Sequence, residues 1–233
     1  MNRAFFSCAA LVVSFAFSAA AAPIKKAKAV PAKPALPTET PDATITQEHQ
    51  TAQQLYDAAL RDFTAGHLDA AKGLFQKVLA ISAENPPALI NLALIAQRQQ
   101  HGDEAEKFLC RVIQKDTANA TAWLLLGIGA YERNELDAAL AHLAQAVLYA
   151  PQDARAHQYL GVTLGRRGGY TAGEEELRRA VELDPKSADA HYNLAAIYME
   201  RIPPAAELAR RHYSRAVELG TAPDEELAAK IGK

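Results

Sequence analysis

The stretch that decides the fold is residues 120–153, which read ATAWLLLGIGAYERNELDAALAHLAQAVLYAPQD. Their apolar residues recur at intervals of three and four, which predicts two amphipathic helices on either side of a polar elbow. Asn134, in the elbow, tolerates the left-handed backbone on which many helices end, and Pro151 stops the second helix. The stretch therefore predicts one helix–turn–helix unit.

The same unit recurs at a spacing of 34 residues in both directions along the chain. Five units carry a small residue at one place in the first helix: Ala59, Ala93, Gly127, Gly161 and Ala195. A small side chain lets a second helix approach closely, and we expect Leu126 and Gly127 to pack against Ala139 and Leu143. Such repetition is typical of an α-solenoid. Gly66 and Gly168 stand where Asn134 stands, whereas the second unit has Gln100 there and moves its glycine to Gly102.

The residues of the central unit resemble the tetratricopeptide repeat family, whose pattern is met by Trp123, Leu126-Gly127, Ala139, Leu143 and Pro151. The resemblance covers most of the chain and implies an all-α fold of about five helix–turn–helix repeats over residues 45–223. The repeats are assigned to residues 52–85, 86–119, 120–153, 154–187 and 188–223, and a capping helix to 224–233. For function, the family mainly implies protein–protein binding.

The residues before the repeats predict a leader and a linker. Residues 1–21 combine a positive start, an apolar run and a final run of alanines, which is the layout of a secretory signal peptide. Residues 22–44 are rich in Ala, Pro and Lys and predict a disordered linker. We therefore expect an exported protein, periplasmic or secreted. The alternative is anchoring by an uncleaved N-terminal segment.

The charge distribution argues against nucleic acid as a partner. Residues 47–233 carry 20 basic and 25 acidic side chains, a net charge of −5, whereas phosphate groups require a basic face. The linker holds four lysines diluted by alanine and proline, which is a weak signal for an anionic surface. Membrane contact is thus expected only through the leader or weakly through the basic linker.

The sequence contains no HExxH, CxxCH or paired CxxC motif, and we predict no enzymatic activity, no cofactor and no metal site. His157 and His191 take the place of Trp123 in the next two repeats. We expect them to fill an aromatic slot and to stack between repeats, and a metal-binding or pH-sensing pair is the alternative. Cys110, the single cysteine after the leader, is expected to be a half-buried structural thiol.

The resemblance further implies a partner-binding groove lined by the first helices of successive repeats. Some family members hold a peptide's terminal carboxylate there with lysine and asparagine, but Tyr56 and Leu60 replace two of those residues, so we do not expect that clamp. The largely apolar surface favours an amphipathic helix or an extended hydrophobic segment of another protein. The predicted groove residues are Tyr56, Leu60, Ile90, Asn91, Leu94, Leu124, Ile128, Tyr131, Arg155, Tyr159, Val162, Tyr192 and Asn193.

These features predict a non-enzymatic interaction scaffold or assembly factor of the cell envelope, which binds a partner segment in the groove. The alternative is a periplasmic chaperone-like carrier of unfolded or hydrophobic client proteins, which would use the same apolar groove. Binding of many hydrophobic peptides would favour the carrier, and one tight partner would favour the scaffold.

Overall fold

The protein is described by a computed structural model that covers residues 41–232, with side chains from residue 50 onward. Within that range the chain forms eleven α-helices and no strand. The helices are α1 (Pro41–Thr64), α2 (Leu68–Ile81), α3 (Pro86–Arg98), α4 (Gly102–Lys115), α5 (Ala120–Glu132), α6 (Leu136–Tyr149), α7 (Ala154–Arg166), α8 (Tyr170–Leu183), α9 (Ala188–Glu200), α10 (Ala206–Glu218) and α11 (Glu225–Ile231).

Consecutive helices pack as pairs, from α1 with α2 to α9 with α10, and the second helix of each pair packs against the first helix of the next. Short elbows connect the helices, so the chain reverses direction at each one. The first helices also meet one another, since α5 contacts α7 and α7 contacts α9. This arrangement confirms the predicted all-α solenoid.

The helix bounds can be compared with the predicted segments. From α3 to α10, each pair begins and ends inside one predicted repeat. The predicted leader and residues 22–40 of the predicted linker lie outside the described residues. Helix α1 begins at Pro41, so the last four residues assigned to the linker are helical instead. Proline suits this position, because its fixed φ matches a first helical turn and its missing N–H is not needed there.

Two glycines allow the helices of a pair to approach closely. A Cβ atom on Gly127 would lie 2.5 Å from Leu143 Cγ, and one on Gly161 would lie 2.8 Å from both the Gly173 carbonyl oxygen and Leu177 Cγ. Neither distance accommodates a carbon atom. The small residue predicted at this place is therefore required by the contact between the two helices.

The elbows between the paired helices use a left-handed residue in four repeats. Gly66, Asn134 and Gly168 have φ values of 83°, 63° and 83°, as predicted from the sequence. In the second repeat Gln100 itself takes a φ of 62°, while Gly102 begins α4. Gln100 therefore adopts the left-handed conformation at the elbow itself, and Gly102 does not take over that role.

The first helices after α1, and the last helix α11, begin with a side-chain cap. In each, the residue before the helix accepts a hydrogen bond from a backbone N–H of the first turn, which would otherwise lack an intrahelical acceptor. The second helices make no side-chain cap. The capping residues are Asn85, Asn119, Asp153, Ser187 and Asp224.

The fourth residue of the first helix makes one contact in three successive repeats. Trp123 Nε1 donates to the Thr117 carbonyl oxygen at 2.8 Å. His157 and His191 place Nε2 at 3.1 and 3.2 Å from the carbonyl oxygen six residues earlier. The slot therefore selects an N–H group on a planar ring, which tryptophan and histidine both supply.

The other side of each of these rings meets the second helix of the same repeat. His157 Nδ1 lies 2.6 Å from Glu176 Oε2, and His191 Nδ1 lies 2.9 Å from His212 Nδ1. Trp123 stacks on a histidine of α6, with ring centroids 5.5 Å apart. The expectation that these rings stack between repeats was therefore wrong, because the nearest planar or acidic partner is on the paired helix.

Candidate functional site

The thirteen predicted groove residues lie on the first helices α1, α3, α5, α7 and α9. Five of their side chains are partly exposed: Tyr56, Leu60, Arg155, Tyr159 and Tyr192. The other eight are at most 9% exposed, namely Ile90, Asn91, Leu94, Leu124, Ile128, Tyr131, Val162 and Asn193. Most of the predicted surface is thus interior.

The correction is clearest in the central repeat, where Leu124, Ile128 and Tyr131 were expected to meet the partner and are 3%, 6% and 5% exposed. Helix α5 packs against α6 of its own repeat, α4 of the preceding repeat and α7 of the next. With neighbours on three sides, residues 124–131 are buried without interruption. Their apolar side chains serve the core of the stack, and burial raises the pKa of Tyr131.

Open space lies further along, in a cavity of about 300 Å³ between α7, α9 and α11. Three predicted groove residues line it: Val162, Tyr192 and Asn193. Its other apolar lining residues include Leu177, Ala196, Ile197 and Leu227, and its charged ones are Arg166, Glu200, Asp224, Glu226 and Lys230. We call this space the terminal cavity. It is an apolar opening beside predicted groove residues, with charged groups among its lining.

Helix α11 forms one wall of the terminal cavity and is held by two tyrosines. The Tyr192 hydroxyl donates to Asp224 Oδ2 at 2.6 Å. The Tyr213 hydroxyl accepts from the Asp224 N–H at 2.7 Å and lies 3.0 Å from the Asp224 carbonyl oxygen, to which it donates. The Tyr192 bond is the main cause that lowers the pKa of the Asp224 carboxyl, while burial raises the pKa of Tyr192.

Two asparagines at the same position of their repeats differ in their hydrogen bonding. Asn91 Nδ2 donates to the Pro87 carbonyl oxygen at 2.9 Å and to the Tyr56 hydroxyl at 3.0 Å. Asn193, three repeats later, is 4% exposed, and its buried Nδ2 has no acceptor. Because buried polar groups are nearly always paired, an orphaned donor beside a cavity marks the cavity as a candidate binding site.

Arginines at the ends of two first helices cover aromatic rings of the preceding repeat. Arg98 lies 4.3 Å from the ring centroid of Phe63, and Arg166 lies 4.7 Å from that of Tyr131. Arg166 also donates to Asn134 Oδ1 at 2.6 Å. Each guanidinium is thereby fixed above an aromatic ring, and Arg166 presents a positive charge at the edge of the terminal cavity.

A second, more polar space of about 690 Å³ lies at the elbows of α3–α4 and α5–α6. Glu132 lines it, and burial raises the pKa of that carboxyl. Arg133 lines it too, with ion pairs to Glu106 and Glu135 at 3.0 and 2.9 Å. None of the predicted groove residues lines this space. Among residues 50–232, no group of three or more potential metal ligands converges here or elsewhere.

Comparison with known families agrees with the helix pairs. Family models described as tetratricopeptide repeats match residues 62–113 and 124–164, and one described as a TPR repeat matches residues 169–200. Together they span more than half of the chain. The chain belongs to the tetratricopeptide repeat family.

Solved structures of three other proteins share the fold. PilF of Pseudomonas aeruginosa is 18% identical, with a TM-score of 0.69 over 80% of this chain and 90% of that chain. MamA of Desulfovibrio magneticus RS-1 is 21% identical, with a TM-score of 0.63 over 72% and 94%. YrrB, described as a TPR protein with an unusual peptide-binding site, is 21% identical, with a TM-score of 0.61 over 81% and 95%. No curated protein matches the sequence.

The tetratricopeptide repeat pattern did not identify the residues that α11 contributes to the site. Asp224, Glu226, Leu227 and Lys230 fall in the segment predicted to be only a cap, yet they line the terminal cavity. The signal was Asp224 followed by a charged first turn, which is how a further first helix would begin. No helix described by the structure is long and apolar enough to cross a membrane.

Proposed function

We propose that this protein is a non-enzymatic scaffold or assembly factor of the cell envelope, which binds a segment of another protein on the face formed by its first helices. Membership of the tetratricopeptide repeat family supports a protein partner. The single observation that carries the proposal is the terminal cavity, which joins an apolar floor to polar groups beside predicted groove residues.

The cavity supports a binding centre between α7, α9 and α11, and the burial of α5 argues against one on that helix. Charged substitutions in the central repeat would therefore test folding and not binding, because Leu124 and Ile128 are in the core. Side chains that line the cavity and keep some exposure, such as Ala196, are the informative positions. The peptide-binding site described for YrrB supports a peptide segment as the occupant here.

The proposed envelope location is supported by the sequence of residues 1–21, which has the charge, the apolar run and the small residues of a secretory signal. It is tested by fractionating cells that produce the chain with a C-terminal tag. We expect the tagged protein in the periplasm or the medium, with a mature N-terminus near residue 22. Tagged protein that stays in the cytosol with residue 1 intact contradicts the location.

The binding proposal is tested by site-specific photocrosslinking in the native host. A small aliphatic photoreactive amino acid, about the size of leucine, is placed at Ala196, so that the terminal cavity stays open, and in a matched variant at Leu148. Leu148 is 65% exposed on α6, a second helix away from the cavity, and serves as the control. We expect one predominant adduct, identified by mass spectrometry, from position 196 and not from position 148.

The other outcomes of the crosslinking are informative. A broad set of unrelated adducts at position 196 would favour the chaperone-like carrier over the scaffold. Equal adducts at both positions, or adducts at position 148 alone, would contradict the proposed binding face.

A further inference from the structure

We propose that the face formed by α8 and α10 holds a binding site for a single phosphoryl group, built from the side chains of Arg178, Arg211 and His212. The site lies on second helices, so it goes beyond the proposed protein-binding function and does not depend on it. The ligand class is a soluble phosphate monoester, whose phosphoryl oxygens are the atoms that the site recognises.

Two of the arginines on this face have no acidic partner. Arg179, Arg210 and Arg215 each form an ion pair with a glutamate three residues away on the same helix, at 3.1, 2.6 and 3.0 Å. Arg178 and Arg211 are exposed, and neither has a carboxylate within ion-pair distance among residues 50–232. Two positive charges on successive second helices therefore remain uncompensated.

Both arginines lie near a histidine that stands where the preceding repeat has a carboxylate. The ring in the slot of the first helix meets Glu176 in the fourth repeat and His212 in the fifth, so the fifth repeat lacks that negative charge. Burial is the main cause that lowers the pKa of His212 to about 4, and the charges of Arg211 and Arg178 lower it further. Both guanidinium groups are therefore neighbours of the same ring.

His212 offers one unprotonated nitrogen to a ligand. His191 Nε2 lies 3.2 Å from the Pro185 carbonyl oxygen and carries a proton, so His191 Nδ1 accepts from His212 Nδ1 at 2.9 Å. In the neutral His212 ring Nε2 then holds a lone pair, and it has no hydrogen-bond partner within the described part of the chain. When an anion binds, Nε2 takes up a proton from solvent and donates to an oxygen of that anion.

The surroundings of the two rings contain little negative charge. Glu174, which acts on Tyr198, forms an ion pair with Arg201 at 2.9 Å. Glu175 is exposed on α8, where solvent and salt screen it, and Asp184 acts on His191. The charged or titratable groups that face the His191–His212 pair are Tyr198 on α9, Arg178 on α8, Arg211 and Arg215 on α10, and Asp184 at the end of α8.

The donor set fits a phosphoryl group better than a carboxylate. A guanidinium binds two oxygens at once, so one arginine is enough for both oxygens of a carboxylate. A phosphoryl group has three acceptor oxygens and up to two negative charges, which match two arginines and one protonated histidine. Because the other three arginines of the face are paired, the face is not broadly basic, and this favours a single soluble group over a membrane surface.

The site is tested by NMR titration of the protein with inorganic phosphate at pH 7, in a low-salt buffer without other oxyanions. We expect saturable shifts with a dissociation constant on the order of 1 mM, since solvent screens the exposed arginines. Arg178→Gln and Arg211→Gln should each weaken binding by about 5- to 20-fold and stay folded, because both side chains are exposed.

Arg179→Gln is the matched control. It removes the same charge from the neighbouring position of α8, but from a guanidinium that Glu182 already engages at 3.1 Å. Its affinity for phosphate should stay within about 2-fold of the wild type.

The role of His212 is tested with inorganic sulfate, which is tetrahedral and stays doubly charged at mildly acidic pH, so its own titration does not contribute. Sulfate binding favours the protonated ring, so saturating sulfate should raise the NMR midpoint of His212 from near pH 4 by about 2 pH units. The affinity of the wild type should therefore rise about 10-fold between about pH 7 and pH 5. His212→Asn does not titrate and should bind sulfate equally at both pH values.

The site is overturned by an absence of saturable shifts below about 10 mM phosphate, by an equal loss in Arg179→Gln, or by acetate binding as tightly as phosphate. A pH dependence that persists in His212→Asn would reject the histidine as part of the site. Sedimentation with phosphatidylcholine vesicles that contain phosphatidic acid tests the lipid source, and we expect the protein to stay in the supernatant. Arginine-dependent co-sedimentation without binding of inorganic phosphate would overturn the choice of a soluble ligand. Photocrosslinking at position 196 decides the protein-binding function separately.

Discussion

Lowering the pH from 7 to 4 should destabilise the last helix pair through His212. His191 Nε2 lies 3.2 Å from the Pro185 carbonyl oxygen, so that nitrogen carries a proton and Nδ1 of His191 is an acceptor. His212 Nδ1 therefore donates to it at 2.9 Å, and both rings are neutral. The pKa of His212 is lowered to about 4, mainly because the ring is buried. The nearby charges of His191, Arg211 and Arg178 lower it further.

The sign follows from the proton balance. Since the pKa of His212 is about 4 in the folded chain and about 6.5 when unfolded, the unfolded chain binds more protons between these pH values. The stability is present above pH 6.5 and is lost progressively as the pH falls through 6.5 towards 4. The full shift corresponds to roughly 3 kcal/mol. Solvent at the partly exposed ring screens some of it, so we expect a loss of about 1–3 kcal/mol.

The assay is urea unfolding of the wild type and His212→Asn from pH 7.5 to pH 4. The asparagine amide can donate to His191 but does not titrate, so the variant should lose about 1–3 kcal/mol less on acidification. His101→Asn is the control, because the His101 side chain is 59% exposed. An NMR titration of the wild type should place the midpoint of His212 near pH 4. Identical pH dependence of wild type and His212→Asn, or a midpoint near 6.5, would refute this account.

Two further changes separate core packing from surface. Gly161→Ala should lower the free energy of unfolding by about 1–3 kcal/mol, because the new Cβ would meet the Gly173 carbonyl oxygen at 2.8 Å. Gly73→Ala is the control, because a Cβ there has open space around it, and it should be neutral or stabilising in the same urea experiment. Leu124→Glu should abolish the cooperative thermal transition followed by circular dichroism, because a buried carboxylate without a partner costs several kcal/mol. Leu148→Glu, on the surface, should melt within a few degrees of the wild type. A folded Leu124→Glu protein or a destabilised Leu148→Glu protein would show that the burial assigned to these positions is wrong.

The fold was predictable because each repeat imposes the same local requirements on its residues. The close approach at Gly127 and Gly161 and the left-handed turn at Asn134 recur at fixed spacing, so the columns are visible in one sequence. Gln100 shows the limit of that reasoning. A residue without glycine's conformational freedom takes the left-handed position, because the packing of α3 and α4 on either side fixes the elbow.

The site was less predictable, since apolar residues on a first helix can face either a groove or the neighbouring repeats. Periodicity is identical for Ile128, which is 6% exposed, and for Leu60, which keeps partial exposure. Burial depends on how many helices surround each one, and this follows only from the stacking. The connection between α9 and α10 is longer than in the other repeats, so the residues after it no longer follow the 34-residue spacing. The contribution of Asp224 and Leu227 to the cavity could therefore not be predicted from the repeat pattern.

The central claim is that a partner segment enters the terminal cavity, and the most direct measurement is the affinity of the photocrosslinked partner for a chain in which the cavity is filled. Ala196→Trp is compared with Leu148→Trp by calorimetric titration, after thermal unfolding has shown that both variants are folded. The account predicts a loss of at least about 10-fold for Ala196→Trp and no change for Leu148→Trp. Wild-type affinity in Ala196→Trp would contradict it.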